Sequence, residues 1–160
     1  AELAYQESLA ISMKAFGPDH IDVTLARRNL ALVLRDRGEY ERAASLLREA
    51  VAKDRKTFLT PSLAIVEDLV ALATVEESRR EFDGAEAHIL EARGLLDRLH
   101  IERAHHVWDE LDIARAAVLL AQGCREEGDA IVADRLRAYK ADATRRQPFE
   151  RLQRKVHGLS

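Results

Sequence analysis

The chain has 160 residues, 47% hydrophobic, 33% charged and only 5% aromatic, with seven glycines and three prolines, a helix-former's composition that leaves little for strands. Its formal net charge of −3 argues against a protein that coats nucleic acid or a membrane surface, since those carry a basic excess. The one cysteine, Cys124, excludes an internal disulfide and suits a reducing cytoplasm, and neither a bilayer-length apolar run nor a signal-peptide pattern is found.

Leu3, Tyr5, Leu9 and Met13 space as one face of a first helix from about Glu2 to Phe16, ended by Gly17-Pro18. Asp19 can cap a second helix, with Asp22 in its first turn and Leu25, Leu30, Val33 and Leu34 along its stripe as far as Arg37. Gly38 supplies a turn. A third helix from about Tyr40 to Lys56 points Ala43, Leu46, Leu47, Ala50 and Val51 inward, closing an antiparallel hairpin.

Thr60-Pro61, a cap residue before a proline at the first helical position, opens the next unit, with Leu63, Val66, Leu69, Val70 and Ala73 inside. Arg80 stands where the turn glycine would be, and Phe82, Ala85, Ile89, Ala92 and Leu96 follow on the partner helix. A more degenerate unit runs through Trp108, Leu111, Ala116 and Leu119 to Gly123, then Gly128, Val132 and Leu136. Pro148 is expected to start a short last helix with Phe149, Leu152 and Val156 inside and Arg151, Arg154 and Lys155 outside, as on a capping element.

Shifted by 42 residues, the chain overlays on itself: Leu30, Ala31, Val33, Arg37, Glu39, Ala43, Glu49 and Ala50 recur as Leu72, Ala73, Val75, Arg79, Glu81, Ala85, Glu91 and Ala92. The third unit lies at an offset of 85, carrying Gly38 to Gly123 and His20 to His105, so one residue is inserted between units two and three. Periods of this size belong to stacked helical hairpins, which bury their faces only against their neighbours.

Each unit resembles a tetratricopeptide repeat, in the 42-residue form of kinesin light chains and of many bacterial multidomain proteins. The resemblance is carried by Leu9-x-Ile11, Phe16-Gly17-Pro18-Asp19-His20-Ile21-Asp22-Val23, Asn29-Leu30-Ala31, Gly38-Glu39-Tyr40 and Ala43-x-x-x-Leu47-x-x-Ala50. It implies an all-α, right-handed superhelical α-solenoid of antiparallel hairpins. Residues 1–16 would be the second helix of a truncated repeat, 20–57 unit 1, 60–98 unit 2, 103–143 a degenerate unit 3 and 147–157 a capping helix. Ala31, Ala43 and Ala50 fall where helices approach too closely for a larger side chain. The pattern weakens along the chain, with Glu76 in an apolar slot and Arg125, Gly128 and Arg135 at the aromatic and two alanine positions of unit 3.

In this family the first helix of each hairpin lines a concave groove that holds a peptide or protein segment. Groove positions carried over are Leu25, Arg28, Asn29, Leu32, Arg35 and Asp36 in unit 1, and Glu67, Val70, Ala71, Thr74, Glu77 and Ser78 in unit 2. Unit 3 offers Glu110, Ile113, Ala114, Ala117 and Leu120. Asn29 can both donate to and accept from an extended backbone. Arg28 and Arg35, seven apart on one helix face, are placed to receive the carboxylates of an acidic segment, or are an ordinary solvated surface. The Lys and Asn arrangement that clamps a terminal carboxylate in some members is absent, since Val70 and Thr74 occupy the unit 2 slots.

Enzyme and cofactor signals are weak, and the expectation is a non-catalytic chain with no cofactor and no metal. His88, His100, His105 and His106 form no zinc-helix pair with a third ligand, and His105 repeating His20 favours a structural role in the linker between repeats. No serine-nucleophile or phosphate-loop motif occurs, and Cys124 lacks an activating setting. From Arg135 to Ser160 eight cations face Asp142 and Glu150, an anionic-partner patch or a solvated face, with only Tyr139 and Phe149 as aromatics.

The expected partner is therefore a protein or peptide, with no membrane and nucleic acid disfavoured. A chain opening in mid-pattern at Ala1 reads as a piece of a longer protein, and the alternatives are a regulatory arm of a bacterial signalling enzyme, a serine/threonine kinase or caspase-like protease, or a repeat-containing transcriptional regulator. Loss of a hairpin partner for the helix bearing Leu3, Tyr5 and Leu9 leads to an expectation of self-association through that face.

Overall fold

The structure is a computed structural model that describes residues 2–18, 20–57, 60–103 and 105–158, the side chains of Glu2, Ile21 and Thr57 excepted. Among them are eight α-helices and no strand, in two compact units divided between Ile101 and Glu102.

The first unit contains α1 (Glu2–Phe16), α2 (Ile21–Asp36), α3 (Tyr40–Thr57), α4 (Leu63–Ser78) and α5 (Phe82–Arg98). Each helix packs on the next, and α2 also lies beside α4. Close approach explains the repeating small residues: Ala31, Ala43, Ala50, Ala73, Ala85 and Ala92 are all fully buried. Leu30, Ala31 and Leu34 of α2, Ala43, Ala44 and Leu47 of α3, and Ala71, Leu72 and Val75 of α4 form one cluster. Tyr5 and Leu9 of α1 pack against it. The outward apolar side chains of α1 are instead Leu3 and Ile11, each 67% exposed, together with Phe16 and Met13, so the expected Leu3, Tyr5, Leu9, Met13 face is divided between two sides of the helix.

The hairpin turns share one hydrogen-bonding pattern. Gly38 sits at φ 80° while the Glu39 N–H donates to the Leu34 carbonyl (2.9 Å), a left-handed C-terminal cap for which glycine is suited. Arg80 adopts the same conformation at φ 62°, and Glu81 N–H donates to Glu76 O at the same 2.9 Å. Packing on either side of the turn thus imposes the geometry even where the residue pays a steric penalty of about 1 kcal/mol. The guanidinium of Arg80 lies 5.7 Å from the Phe82 ring centroid.

Helix starts depart from expectation in three places. His20 caps α2, its Nδ1 accepting from the Asp22 N–H (3.3 Å); Asp19 lies outside the described residues. Ser62 rather than Thr60 caps α4, its hydroxyl accepting from Ile65 N–H (3.4 Å), so Pro61 precedes the helix. In the second unit α8 (Ala143–His157) starts well before Pro148, which is inside it, because the Asp142 carboxylate accepts from Arg145 N–H (3.0 Å) and fixes an earlier start.

That second unit also holds α6 (His106–Gln122) and α7 (Arg125–Ala138). Its core gathers Ala116, Val132 and Phe149, with Ile113, Ile131, Leu136, Tyr139 and Leu152 against them. Gly128, at the first alanine position, is there for space: a Cβ would come within 2.6 Å of Leu120 Cγ and 3.3 Å of the Ala116 carbonyl oxygen. Arg135, at the second, replaces small-residue packing by an ion pair with Asp112 (Nε–Oδ2 2.6 Å).

Candidate peptide-binding face

The side-by-side placement of α2 and α4 brings the groove positions of two hairpins onto one face. Leu25 is 44% exposed, Asp36 is exposed, and Arg28, Asn29, Leu32 and Arg35 are half-buried. From α4 come half-buried Glu67, Thr74, Glu77 and Ser78. Val70 and Ala71 are only 4% and 6% exposed, so these two belong to the packing under the face and offer a ligand little. On α6, Ala114 and Leu120 are likewise buried and Ile113 packs into the core of its own unit, while Glu110 is exposed and Ala117 half-buried.

Both groove cations already have partners. Arg28 spans Asp68 (Nη1–Oδ1 3.1 Å) and Glu67 (Nη2–Oε2 2.8 Å) of α4. Arg35 grips Asp36 through Nε (3.0 Å) and Nη2 (2.7 Å) and donates from Nη1 to the Thr74 hydroxyl (3.0 Å), which in turn donates to the Ala71 carbonyl (2.7 Å). Seven-residue spacing placed the two arginines on one side of α2; it carried no information on acids some forty residues further on. The Asn29 amide, by contrast, has no hydrogen-bond partner among the described residues.

Beneath the face runs a polar network absent from the sequence-based expectation. Thr24 Oγ1 donates to Asp54 Oδ1 (3.1 Å), and Thr24, Arg27, Asp54 and Asp68 are each less than a tenth exposed. Burial pushes the Asp68 carboxyl up to about 7; Arg28 opposes the rise, and Asp54 and Glu67 add to it. Burial also raises Asp54, against the Thr24 hydrogen bond and the charges of Arg28, Arg27 and Lys53. The signal was present in the helix period, since Asp54 falls four residues past Ala50 and Asp68 three past Ile65, each on a buried stripe.

The histidines are held structurally. His105 caps α6 as His20 caps α2, its Nδ1 accepting from Val107 N–H (3.3 Å), and its ring lies 4.3 Å from that of His106. His88 Nδ1 is 2.7 Å from Glu76 Oε2, which accounts for an acid in an apolar slot; Arg48 is 3.4 Å from the other oxygen. Among the described residues no group of three or more His, Cys, Asp and Glu side chains is placed to hold a metal ion, and no helix is long and apolar enough to cross a membrane.

The basic C-terminal stretch is largely paired within the unit. Arg137 meets Asp134, Arg146 and Arg154 share Glu150, and Arg145 donates to Asp109 (Nη2–Oδ2 2.6 Å). Phe149 is fully buried and unavailable for stacking.

Residues 1–56 match the family model described as tetratricopeptide repeat. These residues are tetratricopeptide repeat. Two crystal structures of the nearly identical TPR-like repeats assigned to a kinesin light chain of Podosopora anserina, one a point variant, superimpose on 99% of the chain and 84% of their own length. The TM-scores are 0.68 and 0.67 at 16% identity, a likeness of fold. A search of curated proteins finds no sequence relative. The chain thus has an all-α fold of the α-solenoid class, built from antiparallel hairpins, a fold that generally mediates contacts between proteins.

Proposed function

We propose that the chain is a non-catalytic interaction module that holds a peptide or protein segment along the α2–α4 face. The observation that carries this reading is the Asn29 amide, half-buried among groove residues with no partner among the described residues, beside apolar Leu25 and Leu32. An extended segment can satisfy both its donor and its acceptor, while exposed Leu25 adds apolar contact. Arg28 and Arg35 serve as walls of the face. A reducing cytoplasm suits the exposed thiol of Cys124. The outward side of α1, with Leu3 and Ile11, is assigned to a second copy of the chain. Asn29→Ala tests the main reading: it is expected to weaken capture of a bound segment about tenfold with the helical spectrum unchanged, whereas unchanged affinity would refute the role of the face.

A further inference from the structure

The α2–α4 face is unevenly charged. Two cations, Arg28 and Arg35, stand against three carboxylates at the face, Asp36, Glu67 and Glu77, with the Asp68 carboxyl buried beneath them. Arg28 is already shared by Glu67 and Asp68, and its side chain is 15% exposed. Arg35 is 28% exposed, with Nε and both terminal nitrogens engaged by Asp36 and Thr74. An incoming carboxylate would have to displace one already bound, gaining no ion pair, and would enter a region of negative surplus.

Glu77 is the opposite case. It is half-buried on α4, one turn beyond Thr74 on the same face, and its carboxylate has no ion-pair partner among the described residues. An arriving ammonium or guanidinium would meet an unneutralised charge there, while Asp36, with a side chain 68% exposed, offers its second oxygen.

Resting on the peptide-binding reading above, we infer that the segment held on this face is a basic one, its lysine or arginine meeting Glu77 while its backbone meets the Asn29 amide. The acidic segment expected from the spacing of Arg28 and Arg35 is thereby excluded, because those two residues serve the protein's own carboxylates.

Two labelled peptides of equal length test it, one alternating leucine with lysine and one alternating leucine with glutamate, titrated against the whole chain by fluorescence anisotropy. The lysine peptide is expected to bind about tenfold more tightly than the glutamate peptide, and Glu77→Lys to remove about tenfold of that affinity. Glu86→Lys makes the same change of net charge at an exposed site on α5 and is expected to leave binding nearly unchanged. Tighter binding of the glutamate peptide, or equal loss from Glu77→Lys and Glu86→Lys, overturns the basic assignment. If Asn29→Ala still weakens the bound peptide in that case, the groove reading survives alone. Failure of both peptides to bind, or binding indifferent to Asn29→Ala, overturns the groove reading together with the inference.

Discussion

Replacing Asp68 by asparagine removes a titration that folding imposes on the centre of the first unit. Asp68 is fully buried, its Oδ1 accepting from Arg28 and its Oδ2 without a partner, and burial moves its carboxyl from 3.8 to about 7. Between those values the folded chain holds a proton that the unfolded chain has released. The contribution of Asp68 to stability is therefore greatest below the unfolded value, falls by about 1.4 kcal/mol per pH unit across the window, and levels off above about pH 7. Across the whole window the loss is on the order of 4 kcal/mol, and between about pH 5 and pH 8 it is about 3 kcal/mol. Asp54, raised by the same cause, adds a slope of the same sign. Asparagine keeps the shape and an oxygen for Arg28, so the variant is expected to fold and to lose most of the slope. Urea unfolding followed by circular dichroism at both ends of this pH range measures the difference. Parallel pH profiles for wild type and Asp68→Asn would refute the reasoning.

Further expectations follow from packing and pairing. Gly128→Ala drives a Cβ to within 2.6 Å of Leu120 and is expected to destabilise the second unit by about 1–3 kcal/mol in thermal unfolding. Asp109→Ala removes the acceptor of Tyr139 Oη (2.6 Å) and of Arg145 Nε (2.8 Å). Leaving both donors half-buried and unpaired costs about 3 kcal/mol, and hydrogen exchange is expected to show α8 opening before α6. Arg80→Gly is expected to raise the midpoint of thermal unfolding, by up to about 1 kcal/mol of stability, and Gly38→Ala, at φ 80°, to lower it. Light scattering at rising concentration is expected to show dimers that Leu3→Glu with Ile11→Glu dissolves; a monomer throughout contradicts the role given to α1.

What was legible in the sequence was what depends on size and period. Ala31, Ala43 and Ala50, with their counterparts 42 residues on, mark helix contacts because only a small side chain fits there, and all six are fully buried. The turn at Arg80 was legible for a related reason: flanking helices impose the left-handed conformation whichever residue occupies it. Less legible were choices among neighbouring polar residues. Ser62 and Thr60 are both competent caps, and it is Ser62 whose hydroxyl meets the Ile65 N–H. Pro148 suggests a helix start, but the helix begins at Ala143 behind the Asp142 cap and carries the proline inside it. Least legible were the α4 partners of Arg28 and Arg35, since a one-helix pattern says which way a side chain points and nothing about the helix it meets. The acids were visible, but the α2–α4 neighbourhood that joins them is a property of the fold.

The central claim, that a segment lies along α2 and α4, is tested most directly by mapping backbone amide chemical shifts during titration with the lysine–leucine peptide. The account predicts perturbations concentrated at residues 25–36 and 67–78, with Asn29 and Glu77 among the largest and the Asn29 side-chain amide shifting with them. Perturbations confined to α1, α3 or α5, or a spectrum that does not change, would contradict it.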